Sequence, residues 1–256
     1  MANALADWIK EVEGDLDPEL QLKRFLQTEM PSATPDWWQT EMYTSDEKTT
    51  ACLVCRQAGK SSTLAAIAVR EMQRGRFVIA VCPAERQSRE LATRVKRYMT
   101  ATDLVTVRST QTEIECLNEG RWVSLPASSD TIRSYSNVGT LILDEAAFFQ
   151  GGGEDIVSAV LPMLREDGSV IFSSTPSGPN NLFAQMFINP QPGVHRIKVP
   201  GTSIPRLKNK VDQMRGMLTD ARYRQEYLCQ FITDGQSYFS LDRIQTSNEG
   251  VIAPWN

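Results

Sequence analysis

The 256-residue sequence predicts an α/β fold, a mostly parallel sheet with helices on both faces. Three observations carry that expectation. From Thr50 onward, short apolar runs alternate with amphipathic helical stretches, as in strand–helix–strand units. The runs are apolar throughout, as in strands buried on both faces. Glycines and prolines stand where runs and helices end, so the punctuation agrees with the periodicity.

The elements follow in order. Asp17 before Pro18-Glu19 is an N-cap with proline at the first helical position, and Leu20, Leu22, Phe25 and Leu26 share a face behind it. Pro31 and Pro35 break the chain. Ala51 to Cys55 is a strand, Lys60 to Gln73 a helix ended by Gly75, and Phe77 to Cys82 a strand stopped by Pro83. Gln87 to Met99 is a second amphipathic helix. Strands near Glu113 to Leu117 and Arg121 to Leu125 flank a hairpin turn at Asn118-Glu119-Gly120. Thr140 to Leu143 and Ser169 to Ser173 are buried strands, separated by Gly151-Gly152-Gly153 and a helix from Ile156 to Leu164.

Composition excludes several classes. The chain is 41% hydrophobic and 23% charged, ordinary for a globular protein, and has no apolar run long enough to span a membrane. Its N-terminus lacks the basic start and apolar stretch of a secretory signal, so the cytosol is expected. The net charge of −4 means that any nucleic-acid contact comes from a local basic patch. One histidine leaves little for a His-based metal site or a Ser-His triad. The cysteines, odd in number at five, lie largely in apolar runs and read as structural thiols, Cys52-Leu53-Val54-Cys55 included.

Chemistry enters at Val54-Cys55-Arg56-Gln57-Ala58-Gly59-Lys60-Ser61-Ser62-Thr63, a strand, a tight loop and a helix start. Polyphosphate needs backbone N–H groups aimed at its oxygens and a cation at its end, which this element supplies. Gly59 lets the backbone approach, Lys60 reaches the β- and γ-phosphates, and the Ser61 hydroxyl suits Mg²⁺. The glycine usual five positions before Gly59 is here Val54. Further on, Gly139-Thr140-Leu141-Ile142-Leu143-Asp144-Glu145 is a buried strand ending in two acids. Ligands sit beyond the carboxyl ends of such strands, which suits Asp144 to Mg²⁺ and Glu145 to the attacking water. The two motifs together predict a P-loop NTPase of the RecA/ASCE-like kind that binds ATP with Mg²⁺ and hydrolyses it.

These motifs resemble the ATPase domain of the large terminase subunit of tailed bacteriophages, over about residues 30 to 235. Arg56-Gln57-Ala58-Gly59-Lys60-Ser61 is similar to that family's deviant phosphate loop, in which arginine replaces the first glycine. Pro35-Asp36-Trp37-Trp38-Gln39 resembles its Pro-x-x-Trp-Gln element, which implies that Gln39 contacts adenine and leaves Trp38 to pack either the base or the core. Ser173-Ser174-Thr175-Pro176-Ser177-Gly178 is similar to the coupling motif, whose strand lies between the two Walker strands in this ATPase class. Ser174, Thr175 and Pro176 would there sense the γ-phosphate. Ala221 to Phe231 resembles the segment leading out of the ATPase domain.

The resemblance implies an ATPase domain over 1–235, comprising an N-terminal helical and adenine-binding segment (1–48), a core sheet (49–200) and lid or linker helices (201–235). Residues 236–256 would begin a linker toward a nuclease domain, so the chain reads as a fragment carrying the motor alone. It also implies double-stranded DNA, a portal protein and a small terminase subunit as partners, a homo-oligomeric ring, and a viral packaging complex in the host cytoplasm. A superfamily 2 helicase or an ATP-binding switch without turnover are the competing readings.

Positive charge assists phosphoryl transfer, and two arginines are placed for it. Arg56 lies inside the phosphate loop and would act within its own subunit. Arg133 resembles an arginine that some terminases insert into a neighbouring site, although Ser134 departs from the family's Arg-Gly; a surface ion pair is the alternative. On the helix from Arg86 to Met99, Arg86, Arg89, Arg94, Lys96 and Arg97 oppose the apolar side with only Glu90 against them. That face is either solvated or grips DNA phosphates. Arg206, Lys208, Lys210 and Arg215 form a second basic stretch.

Overall fold

The computed structural model describes residues 17–127, 132 and 134–232. Arg133 and residues 236–256 therefore lie outside the described residues. The chain opens with helix α1 (Pro18–Glu29). The Asp17 carboxylate accepts the N–H groups of Glu19 (2.9 Å) and Leu20 (3.4 Å), satisfying donors that a helix start leaves free. Helix α2 (Trp37–Thr44) follows Pro35, and the Asp36 N–H donates to the Gln39 side chain at 3.0 Å.

Eight strands form one sheet: β1 (Thr49–Val54), β2 (Phe77–Cys82), β3 (Thr106–Ser109), β4 (Glu113–Cys116), β5 (Arg121–Pro126), β6 (Val138–Asp144), β7 (Leu164–Ser174) and β8 (His195–Val199). Their order across the sheet is β3-β4-β5-β2-β6-β7-β1-β8. All pairs from β5 to β8 are parallel, and β3 and β4 add an antiparallel edge.

Helices α3 (Lys60–Gln73), α4 (Glu85–Met99), α5 (Glu154–Val160) and α6 (Leu182–Ile188) make crossovers. The path moves one way from β1 through β2 to β5 and the other way from β6 through β7 to β8. Right-handed crossovers then place α3 and α4 on one face and α5 and α6 on the other. The strand core is dry: all seven residues of β6 are buried, as are most of β1 and β2. The five cysteines are free and buried. Among the described residues no helix is long and apolar enough to cross a membrane.

Three departures from the sequence reading have simple causes. The helix expected over Ile156 to Leu164 stops at Val160 because Pro162 follows, and Leu161–Met163 form a 3₁₀ turn. Strand β7 starts five residues earlier than its apolar run, through the polar stretch Leu164–Gly168. Strands β3 and β8 sit at the two sheet edges, where few side chains are buried and no apolar run marks them. The turn at Asn118 also closes the end of α3, because its amide donates to the carbonyls of Met72 (2.8 Å) and Gln73 (3.1 Å).

Helices α7 (Lys208–Met217) and α8 (Asp220–Leu228) close the described part beyond β8. Helix α8 is tied to the end of β1, because the Arg56 N–H donates to the Glu226 carbonyl at 2.9 Å.

Candidate nucleotide site

In a parallel sheet all carboxyl ends lie on one edge, and here that edge gathers the motifs. Strand β7 lies between β6 and β1, with Asp144 opposite Ser173 and Leu53 opposite Ser174. The phosphate loop, the two acids and the Ser-Thr-Pro element are therefore adjacent tips. Between them opens a pocket of about 530 Å³, lined by Arg56, Gln57, Gly59, Lys60, Ser61, Ser62, Glu145 and Thr175 among others.

The loop's geometry follows from its residues. Gly59 has φ +98° immediately before α3, a conformation that side chains strain. A Cβ there would lie 3.1 Å from the Gln39 amide nitrogen, so side-chain bulk is excluded on two grounds. Ala58 is buried beside it.

Lys60 is buried and points across the sheet edge to the acids. Its ammonium is 3.5 Å from Asp144 Oδ1 and forms an ion pair with Glu145 Oε1. Burial lowers the lysine's pKa, but the two carboxylates outweigh it and hold the group above its ordinary value. Lys60 thus keeps its charge. Burial pushes the Asp144 carboxyl up, with Lys60 acting against it.

Glu145 sits in the left-handed region at φ +53°, which costs a β-carbon-bearing residue about 1 kcal/mol or more. Surrounding bonds fix it there. Its N–H donates to Asp144 Oδ1 at 3.0 Å. Its Oε2 accepts from the Ser174 hydroxyl (3.2 Å) and from the Thr175 N–H (3.3 Å). The Ala147 N–H in turn donates to Ser174 Oγ at 3.2 Å. One carboxylate oxygen is thereby held by the tip of β7, and the other faces Lys60.

Other side chains differ from the sequence reading. Trp38 has no exposed surface, which places its ring in the core and away from any base. Gln39 is buried behind the phosphate loop; its amide donates to Thr63 Oγ1 at 2.8 Å while its oxygen caps α2. Arg56 is exposed, 3.4 Å from Glu226 of α8. The Pro176 carbonyl accepts from Gln225 at 3.0 Å, so α8 touches both the phosphate loop and the β7 tip.

Arg206, grouped by sequence with a basic surface stretch, is instead a brace. It binds Asp36 at 2.7 Å and the Ala58 carbonyl at 2.5 Å.

The basic face of α4 also needs correction, because Glu90 is not its only acid. Arg86 pairs with Glu90 (2.8 Å), Arg89 with Glu85 (2.5 Å), and Arg94 and Arg97 with Glu29 of α1 (2.6 and 3.7 Å). Lys96 donates to the Thr110 carbonyl. The face is largely neutralised by the protein's own groups.

The family model described as the N-terminal part of the T4-like virus type of terminase large subunit matches residues 51–246. The chain belongs to that family. Its fold is that of large terminase ATPase domains. The ATPase domain of the Thermus phage P74-26 large terminase is similar with a TM-score of 0.60 at 20% identity, over 80% of this chain and 96% of that one. The HK97 bacteriophage large terminase gives a TM-score of 0.66 at 13% identity, over 82% of this chain and 55% of that one. A large terminase from a thermophilic bacteriophage, solved in complex with ADP, gives 0.61 at 15% identity, over 82% and 53%. This terminase chain thus spans about half the length of those last two proteins. No curated protein matches it.

Proposed function

We propose that this chain is the ATP-hydrolysing motor domain of a viral terminase large subunit, which drives double-stranded DNA into a procapsid. One observation carries the reading: Glu145 is held at Oε2 by Ser174 and Thr175 while its Oε1 faces Lys60. A phosphate chain at the loop competes for the lysine's charge, and Oε1 is then left to accept a proton from the attacking water. Its partner oxygen stays fixed to β7, so a change at the phosphate reaches that strand. From there Pro176 and Gln225 carry it to α8.

The residues present fit ATP and Mg²⁺. Gly59 leaves room for close phosphate approach, and the Ser61 hydroxyl with the Asp144 carboxylate offers hard oxygen donors. The ion would neutralise charge on the phosphate oxygens. Lys60 holds the β- and γ-phosphates, the backbone of Gln57 to Ser62 cradles the chain, and Gln39 and Arg56 complete the binding set. Related large terminases solved with ADP and with ATP-γ-S agree with a nucleotide site.

Arg133 of a neighbouring subunit, a homo-oligomeric ring, the portal protein, the small terminase subunit and the host cytoplasm belong to the same proposal. Arg86, Arg89, Lys96 and Arg97 are its candidate DNA contacts, and they must exchange their internal partners for phosphate to serve. Phosphate release measured with and without double-stranded DNA tests it. The expected result is ATP turnover that rises severalfold with DNA; release at background in both conditions would overturn it.

A further inference from the structure

The pocket is lined by cations from three different elements: Arg56 of the loop, Lys60 at the head of α3, and Arg94 of α4. Arg94 belongs to none of the motifs. It stands one α4 face-repeat beyond Gln87, which lines the same pocket. Each cation is matched by a carboxylate from a separate element, Glu226 for Arg56, Asp144 and Glu145 for Lys60, and Glu29 for Arg94.

Glu29 does more than neutralise. Its Oε1 accepts from Arg94 Nε at 2.6 Å, and its Oε2 accepts from the Ser62 hydroxyl in the first turn of α3 at 3.1 Å. The end of α1 thereby fixes the guanidinium beside the helix start where the phosphate chain would lie. The bond to Glu29 uses Nε, so the terminal amino groups are left to address a second acceptor, and a planar fork suits phosphate oxygens.

Resting on the nucleotide reading above, we propose that Arg94 is a third cation for the phosphate chain of a nucleoside triphosphate in this pocket, and that Glu29 is its positioning residue. The bridge to Ser62 makes the arginine's placement depend on the phosphate-loop helix itself.

Titration with fluorescent N-methylanthraniloyl derivatives of ATP and AMP tests this on the full chain. Arg94→Ala should weaken ATP-analogue binding roughly 10- to 100-fold, the range of a charge-assisted phosphate contact, and AMP-analogue binding much less. Glu29→Ala should weaken the ATP analogue as well, because the guanidinium loses its anchor. Glu29→Gln should restore parent affinity, since an amide oxygen still accepts from Nε. The double variant of Arg94→Ala with Glu29→Ala should bind no worse than Arg94→Ala.

Parent-like affinity in Arg94→Ala, or losses that add in the double variant, would overturn the proposal. Thermal melting checks folding, and should Arg94→Ala not fold, Arg94→Gln takes its place. A parent chain that binds no ATP analogue would overturn the nucleotide reading instead.

Discussion

Glu145→Gln is expected to remove ATP turnover while leaving ATP binding near the parent value. The amide is nearly isosteric, and its oxygen can still accept from Ser174 Oγ and the Thr175 N–H, which hold Oε2 in the parent. The β7 tip therefore keeps its geometry. The variant loses the capacity to take a proton, which general-base chemistry values at roughly 10²–10⁴ in rate. Lys60 retains Asp144 as a buried counter-ion, so its charge and direction survive. Single-turnover hydrolysis and nucleotide titration on the same preparation separate the two effects. Undiminished turnover would refute the base assignment; lost binding would point to a structural role.

Lys60→Ala is expected to act twice. The phosphate chain loses its buried cation, and binding should fall by two orders of magnitude or more, about 3 kcal/mol or above. The fold also suffers, because Asp144 has 5% relative exposure and keeps no cationic partner in the site. Removing one member of a buried pair costs about 3–5 kcal/mol, a large share of the stability of a domain. For a chain of this size that lowers the melting temperature by roughly 6–20 °C. Adding Asp144→Asn should recover much of the stability but none of the binding. Parent-like ATP affinity in Lys60→Ala would exclude the phosphate loop as the binding element.

Much of this was legible in the residues because the local signals were sharp. The helix from Lys60 to Gln73 and the strand from Phe77 to Cys82 have the bounds read from Gly59, Gly75 and Pro83. Asp144 and Glu145 mark a strand tip because seven buried residues lead into them. What escaped the sequence reading depends on partners far apart in the chain. Arg206 and Ala58 are 148 positions apart, Arg94 and Glu29 are 65 apart, and no periodicity reports such a meeting.

Helical spacing showed that Arg94 and Arg97 face away from the apolar side, but not that Glu29 of another helix faces them. Trp38 and Gln39 are neighbours on a short helix with little amphipathic contrast, so the sequence left open whether the ring meets a base or the core. Its complete burial decides for the core. Strands β3 and β8 were invisible because edge strands need not be apolar.

The phosphate loop and the β6 acids are proposed to embrace one metal-bound triphosphate, and the whole motor reading rests on that meeting. Electron paramagnetic resonance of Mn²⁺, used in place of Mg²⁺, reports on it without relying on turnover. The chain should immobilise Mn²⁺ only when ATP is present, and Asp144→Asn and Ser61→Ala should each weaken that ternary signal. Tight ATP binding with Mn²⁺ left free in solution, or a signal indifferent to both substitutions, would contradict it.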